Sequence, residues 1–442
     1  MSRPLRISRD SGSTSGGKQG AGAGSLYVGL AFTASGVLTY VFQSLSARTL
    51  GPEVYGGLAV LWSATFLVSQ VLWVGVSQTL GRYIAERQAR GEGWEEVIRS
   101  ARRLQISLLA VFLAVCLPAL GLISDRIFGG DTGLALAFVA AVSLYALEYF
   151  RRGVFSGHRR FSRLGALHVT ESASRAALAI ALLAAGSGVA GPALAVVLAP
   201  LVGVLLVRPP SGDAPPDGGP AGEPFSAASA IRFSAPVLAC VAAAQLLLNG
   251  GPLLAVLLGG AEANALAGVL LAALILTRAP QYVLSPVIQA LLPQASRVLA
   301  SDGPAAFERL VARAGAAVLA AGAALVAGIW LLGEFGMRLL YGPGFEVPRG
   351  VLVALAVLAA AYLLCELLSQ ALFASGRARL AALGWLAGLV VAAVSVAATW
   401  PGADAPSGVA LAGLSYPLAL GAVGAAVALA ALYAATRRDL YR

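Results

Sequence analysis

The stretch Leu274 to Arg297, LILTRAPQYVLSPVIQALLPQASR, places an arginine and three prolines inside what otherwise reads as one long apolar helix. Whether that arginine is tolerable depends on what surrounds the helix, and the rest of the chain identifies the surroundings. Of 442 residues, 58% are hydrophobic and only 12% are charged, with a mean hydropathy of +0.80. Soluble domains carry about 25% charged residues. Apolar runs long enough to cross a hydrocarbon core of about 30 Å as helices recur along the whole length. A membrane β-barrel would need alternating segments of about ten residues, and the sequence has none. The chain therefore reads as an all-α integral membrane protein.

Twelve spans are expected, near 26–47, 57–81, 105–124, 132–150, 164–186, 189–207, 233–259, 264–292, 314–333, 350–373, 379–400 and 408–435. Basic loops stay cytoplasmic, and the Lys and Arg residues divide sharply between alternate loops. One set of loops and tails holds 25 of the 31, and the other holds only Arg48, Arg126, Arg338 and Arg349. The last two, Arg175 and Arg278, lie inside spans. This division places both termini in the cytoplasm and makes the protein multi-pass in the plasma membrane. It also accounts for the net charge of +10 without nucleic acid. The expected organisation is a disordered basic tail (1–24), a six-helix bundle (25–207), a Pro/Gly-rich linker (208–231), a second six-helix bundle (232–436) and a short tail (437–442).

Several chemistries are excluded. Cys116, Cys240 and Cys365 all lie in apolar runs and suit packing rather than disulfides or metal ligation, and two histidines cannot build a zinc site. No phosphate-binding loop occurs, so neither a metal centre, a catalytic residue nor a bound cofactor is expected. An offset of 211 residues aligns the second span with the eighth, placing Gln78 on Gln289 and one basic amphipathic loop on its counterpart. Two halves with six spans each point the same way across the bilayer. Parallel repeats of this kind place a substrate site between the halves.

The embedded polar residues are then the candidates for function. Arg278 lies about 22 Å along its helix from either end, too far to snorkel. It needs a water-filled cavity, an anionic ligand or a buried partner that locks two helices. Pro280 and Pro286 should each kink or open the same helix, as a static bend or as a hinge lining a cavity. In the fifth span His168, Glu171 and Arg175 share one helical face. They read either as an internal ion pair or as a polar cavity wall on which Glu171 or His168 carries a coupling proton. Glu366 with Gln370, and Gln245 with Asn249, form further i,i+4 pairs suited to interhelical hydrogen bonds. Glu366 is a candidate for ion coupling and Asn249 for lining a cavity. Glu148, close to Arg151, is expected at the membrane interface.

Three stretches carry a resemblance: GPEVYGGLAVLWSATFLVSQ after the first span, RRGVFSGHRRFSRLGAL after the fourth and TRAPQYVLSPVIQALLPQASR in the eighth. With the span count and loop pattern, they resemble the Wzx-type polysaccharide-biosynthesis flippases of the multidrug/oligosaccharidyl-lipid/polysaccharide exporter superfamily. The resemblance implies a MATE-like V of two bundles around a central cavity. It also implies alternating-access transfer of an undecaprenyl-diphosphate-linked oligosaccharide, coupled to H+ or Na+. The implied partners are the lipid-linked glycan, the bilayer, glycosyltransferases and a polysaccharide polymerase. Guanidinium groups suit diphosphate oxygens, which makes Arg278 and Arg175 head-group candidates, Gln281 a sugar contact and Arg48 a further candidate. The rival readings are a cation-coupled organic-cation exporter of the same superfamily and a non-transporting scaffold of an envelope assembly complex. An exporter of cations would be expected to carry an embedded acid, and the first span has none.

Overall fold

The computed structural model describes residues 16–209, 227–260, 263–402 and 404–437. These residues form thirteen helices in the order α1 (Gly16–Arg90), α2 (Glu95–Cys116), α3 (Leu120–Ile127), α4 (Thr132–Gly157), α5 (Phe161–Ala184), α6 (Ala190–Leu206), α7 (Ala227–Gly259), α8 (Asn264–Thr277), α9 (Gln281–Ser301), α10 (Pro304–Tyr341), α11 (Arg349–Ala374), α12 (Ala378–Thr399) and α13 (Ser407–Arg437). α1 is two spans. Gly51, at φ 72° and ψ 167°, ends the first arm in a conformation that glycine adopts readily. Pro52 follows and starts the second arm, where its missing N–H costs nothing. The arms fold back on each other: Phe42 stacks on Trp62 at 5.6 Å, and the Tyr55 hydroxyl donates to Gln43 Oε1 at 2.7 Å. In a straight helix Phe42 and Trp62 would stand about 30 Å apart.

Two other spans are broken. α2 and α3 meet at 71°, and α8 and α9 meet at 59° across Arg278 to Pro280. Among the described residues, seven helices are long and apolar enough to cross a membrane, or up to nine when each bent pair is one span. α1 doubles back, α5 carries charges that lower its hydropathy, and α6 has 17 residues. The element order thus matches the twelve expected positions, and the protein is an all-helical, multi-pass membrane protein. The break falls at Pro280, and α9 continues through Pro286. Pro280 sits at the N-cap of α9, where the backbone N–H has no helical partner to lose.

Two expected boundaries also shift. Residues 16–24, assigned above to the tail, continue α1, and residues 227–231, assigned to the linker, begin α7. A helix satisfies its backbone internally and can extend past the span it started as. The rest of the linker, 210–226, the tail residues 1–15 and residues 438–442 lie outside the described residues.

α1 packs on α4 and α5 within the first half and on α7 and α8 of the second. In the second half α13 packs on α11 and α12, and α10 on α11. The inter-bundle seam is tightest at the face where the α1 arms turn. A Cβ on Gly56 would sit 1.9 Å from the Asn264 carbonyl oxygen, and one on Gly268 would sit 2.6 Å from the Pro52 carbonyl oxygen. Only glycine lets these backbones approach so closely. Towards the opposite face, where the turn between α11 and α12 lies, the halves diverge around a cavity of about 1150 Å³.

Candidate functional site

The first half contains a closed polar core. Arg175 donates to Glu171 Oε1, to the Tyr145 hydroxyl at 3.2 Å and to Thr39 Oγ1 at 3.3 Å. Its guanidinium lies 4.9 Å from the Trp62 ring centroid, 5.7 Å from Phe42 and 5.9 Å from Phe66, all on α1. Glu171 is equally engaged, because Tyr145 donates to it at 2.7 Å and Ser172 at 3.2 Å. The i,i+4 spacing therefore makes the ion pair, and the aromatic cage ties α5 to both arms of α1. His168 lies apart from this pair, its ring tilted at 43° against Phe32 with centroids 4.5 Å apart. Glu148 is corrected from the interface to the interior: it is fully buried and takes both Arg152 Nε and Nη2, at 3.1 and 2.6 Å. The bundle packs over it because Arg152, one turn on, supplies the charge that its own face lacks.

Arg278 stands in the opposite situation. It is the last residue of the α8 cap, inside the three-residue break, and only 7% exposed. Its Nη1 donates to Asn249 Oδ1 at 2.9 Å, while Nε and Nη2 are buried with no protein partner. Asn249 in turn donates to Gln245 on the same helix. Gln281 follows at the start of α9, and its Nε2 is also buried without a partner. The break exposes the terminal carbonyls of α8, and the Tyr40 hydroxyl from α1 donates to those of Ile275 and Leu276. Tyr282, in the first turn of α9, stands edge-on to Tyr40 with ring centroids 6.1 Å apart. The structure thus brings Arg278, Asn249 and Gln281 together at one break, with no carboxylate paired to the cation among the described residues.

The cavity begins two hydrogen bonds from Arg278, through Asn249 to Gln245, since Gln245 and Tyr362 belong to its wall. Arg278 is therefore at its inner end, behind those two side chains. Glu366 lines the same wall, but both its oxygens are engaged, by Ser285 at 2.6 Å and Gln289 at 3.0 Å. Arg377 and Arg379 flank the mouth. Gln78 and Gln289, the pair aligned by the internal offset, both line the cavity. Arg48 is elsewhere, at the closed face, where it donates to the carbonyls of Leu339 and Leu340 at the end of α10. Sequence reasoning did not select Gln70, Trp385, Arg377 or Arg379 as site residues. Isolated amides within apolar spans were the available signal for the first of these.

The polysaccharide biosynthesis protein family matches residues 21–299. The chain belongs to that family. Among its relatives, a Mycobacterium tuberculosis protein and a Mycobacterium bovis protein, both described as uncharacterised, are each 27% identical over 394 residues, covering 85% of this chain and 86% of theirs. Among solved structures, an inward-facing multidrug-resistance MATE transporter of the MOP superfamily superposes with a TM-score of 0.71 at 18% identity, covering 92% of this chain and 95% of that one. A MOP-superfamily transporter from Pyrococcus furiosus, whose binding pocket is described as having reversed polarity, superposes at 0.67 and 18% identity over 95% of each chain. The fold of this chain is the one these solved transporters share.

Proposed function

We propose that this protein is a transporter that carries an undecaprenyl-diphosphate-linked oligosaccharide across the plasma membrane by alternating access, with both termini and the open cavity mouth on the cytoplasmic side. The observation that carries the reading is the pair of free guanidinium nitrogens on Arg278, buried beyond the inner end of a cavity that has no unengaged acid. An uncompensated buried cation is costly and needs an anionic counterpart. Phosphate oxygens accept from a guanidinium in bidentate fashion, and the free Gln281 amide adds a donor beside it. For the diphosphate to reach Arg278, Gln245 and Tyr362 must turn aside.

Size and charge support the same substrate over an organic cation. A cavity of about 1150 Å³ exceeds the range of about 300–1,000 Å³ usual for drug-sized ligands. Its charged lining is Glu366, already engaged, with Arg377 and Arg379 at the mouth, which favours an anion. The basic mouth also lies where glycosyltransferases on the cytoplasmic side would deliver a finished lipid-linked product, and a polymerase would receive it on the other side. Proteoliposomes containing the full chain test the reading. Transfer of a diphosphate-linked glycan lipid between leaflets, without uptake of an organic cation, is the expected result, and uptake of the cation alone would overturn it.

A further inference from the structure

Among aliphatic and small residues, the cavity wall carries five glutamines and three aromatic rings but only three charged side chains. Two of its glutamines are already used within the protein, Gln289 on Glu366 and Gln245 on Asn249. Three others, Gln70, Gln78 and Gln370, line the cavity and make no hydrogen bond to another described residue. Gln70 and Gln78 lie eight residues apart on the second arm of α1, about 12 Å along one helix. Gln370 faces the cavity from α11, one turn beyond Glu366. On the same side Trp385 is held in place by its indole N–H, which donates to Ser369 Oγ at 2.9 Å, and its ring lies 5.8 Å from Tyr362.

We propose that Gln70, Gln78 and Gln370, on a wall backed by the buried Trp385, form the surface that reads the uncharged sugar part of the substrate, shared between the two bundles. The inference rests on the transport reading above and names the residues that would contact the glycan. Each amide offers two donors and an acceptor, which matches sugar hydroxyls, groups that both donate and accept. A phosphate accepts only and would leave the amide oxygens unused. An organic cation would be served by a free carboxylate, and the one on this wall is engaged twice. Because Gln70 and Gln78 belong to the first half and Gln370 and Trp385 to the second, one glycan touching both ties the bundles together at the mouth. The free polyprenyl diphosphate gains none of these contacts.

The test measures binding to the full chain in lipid nanodiscs with two ligands, a polyprenyl diphosphate bearing uncharged sugars and the same polyprenyl diphosphate without sugars. Wild-type protein is expected to bind the glycan-bearing ligand more tightly. The double variant Gln78→Leu with Gln370→Leu should weaken that binding about tenfold and leave the sugar-free ligand unchanged. Gln370→Met, close to glutamine in length, gives a smaller selective loss and serves if the double variant does not fold. Equal weakening of both ligands, or no change in either, would overturn the assignment of these glutamines. Wild-type protein that binds neither ligand would contradict the transport reading itself.

Discussion

Arg175 in the first half and Arg278 in the second are both buried in membrane spans, and they solve the same electrostatic problem in different ways. Arg175 has a carboxylate one turn earlier on its own helix, a tyrosine and a threonine as hydrogen-bond partners, and three aromatic rings around its charge. Arg278 has one amide oxygen and two empty donors, at a point where the helix itself is interrupted. The first has its charge met by a carboxylate without a ligand and holds helices together, and leaves only its buried Nε without a hydrogen-bond partner. The second has no carboxylate partner among the described residues, and that open charge is what supports the proposed contact with the substrate. A buried arginine in a membrane is thus read by its partners rather than by its depth.

The contrast is sharpest in stability. Arg175→Leu leaves Glu171 buried with no cation, and removing one partner of such a pair costs about 3–5 kcal/mol. The variant should fail to yield folded protein, or unfold far earlier than wild type in a thermal scan in detergent. Adding Glu171→Leu should recover part of the loss, because the stranded charge then disappears. A single variant as stable as wild type would break the distinction between the two arginines.

The ion pair was legible because i,i+4 spacing is a local property of a helix. So were the twelve spans, the turn at Gly51–Pro52 and the break near Pro280, each set by residues close in sequence. The difference between the two arginines was not legible. Both appeared as candidates for a diphosphate, and only packing across α1, α4 and α5 encloses the first. Glu148 was misplaced for a related reason, since its burial depends on how α4 packs and not on its distance from Arg151. The cavity wall drew on α1, α7, α11 and α12, and nothing local in the sequence brings Gln70 opposite Trp385.

The two faces of the molecule offer a second contrast, between a wide mouth and a seam closed by glycine contacts. Arg48, from the first bundle, fastens that seam by donating to the last carbonyls of α10, the negative end of a helix. Its exposed position limits the strength of the contact. Arg48→Ala should favour opening there, raising the rate at which a hydrophilic maleimide labels Ala267→Cys, buried beside Gly268, by about three- to tenfold. An unchanged labelling rate would remove Arg48 from the closure.

The smallest expected effect lies in the turn after α4, where His158 Nδ1 meets Gln88 Nε2 at 2.7 Å and the ring stands edge-on to Trp94. Burial, and then the Arg160 charge, holds this imidazole below its ordinary value of 6.5. The fold therefore favours the neutral ring. Its contribution is full above pH 6.5 and is lost as the pH falls below that value through the lowered one. A small decline in melting temperature below pH 6.5 should appear in wild type and vanish in His158→Gln.

The most direct measurement compares Arg278→Ala with wild type in proteoliposomes, following transfer of a diphosphate-linked glycan lipid alongside thermal unfolding of the same samples. Loss of a charge-assisted contact to the substrate predicts a fall in transfer of about ten- to a hundredfold, with a melting temperature near that of wild type and well above that of Arg175→Leu. Normal transfer by a stable Arg278→Ala protein would contradict the assignment of the open guanidinium to the substrate.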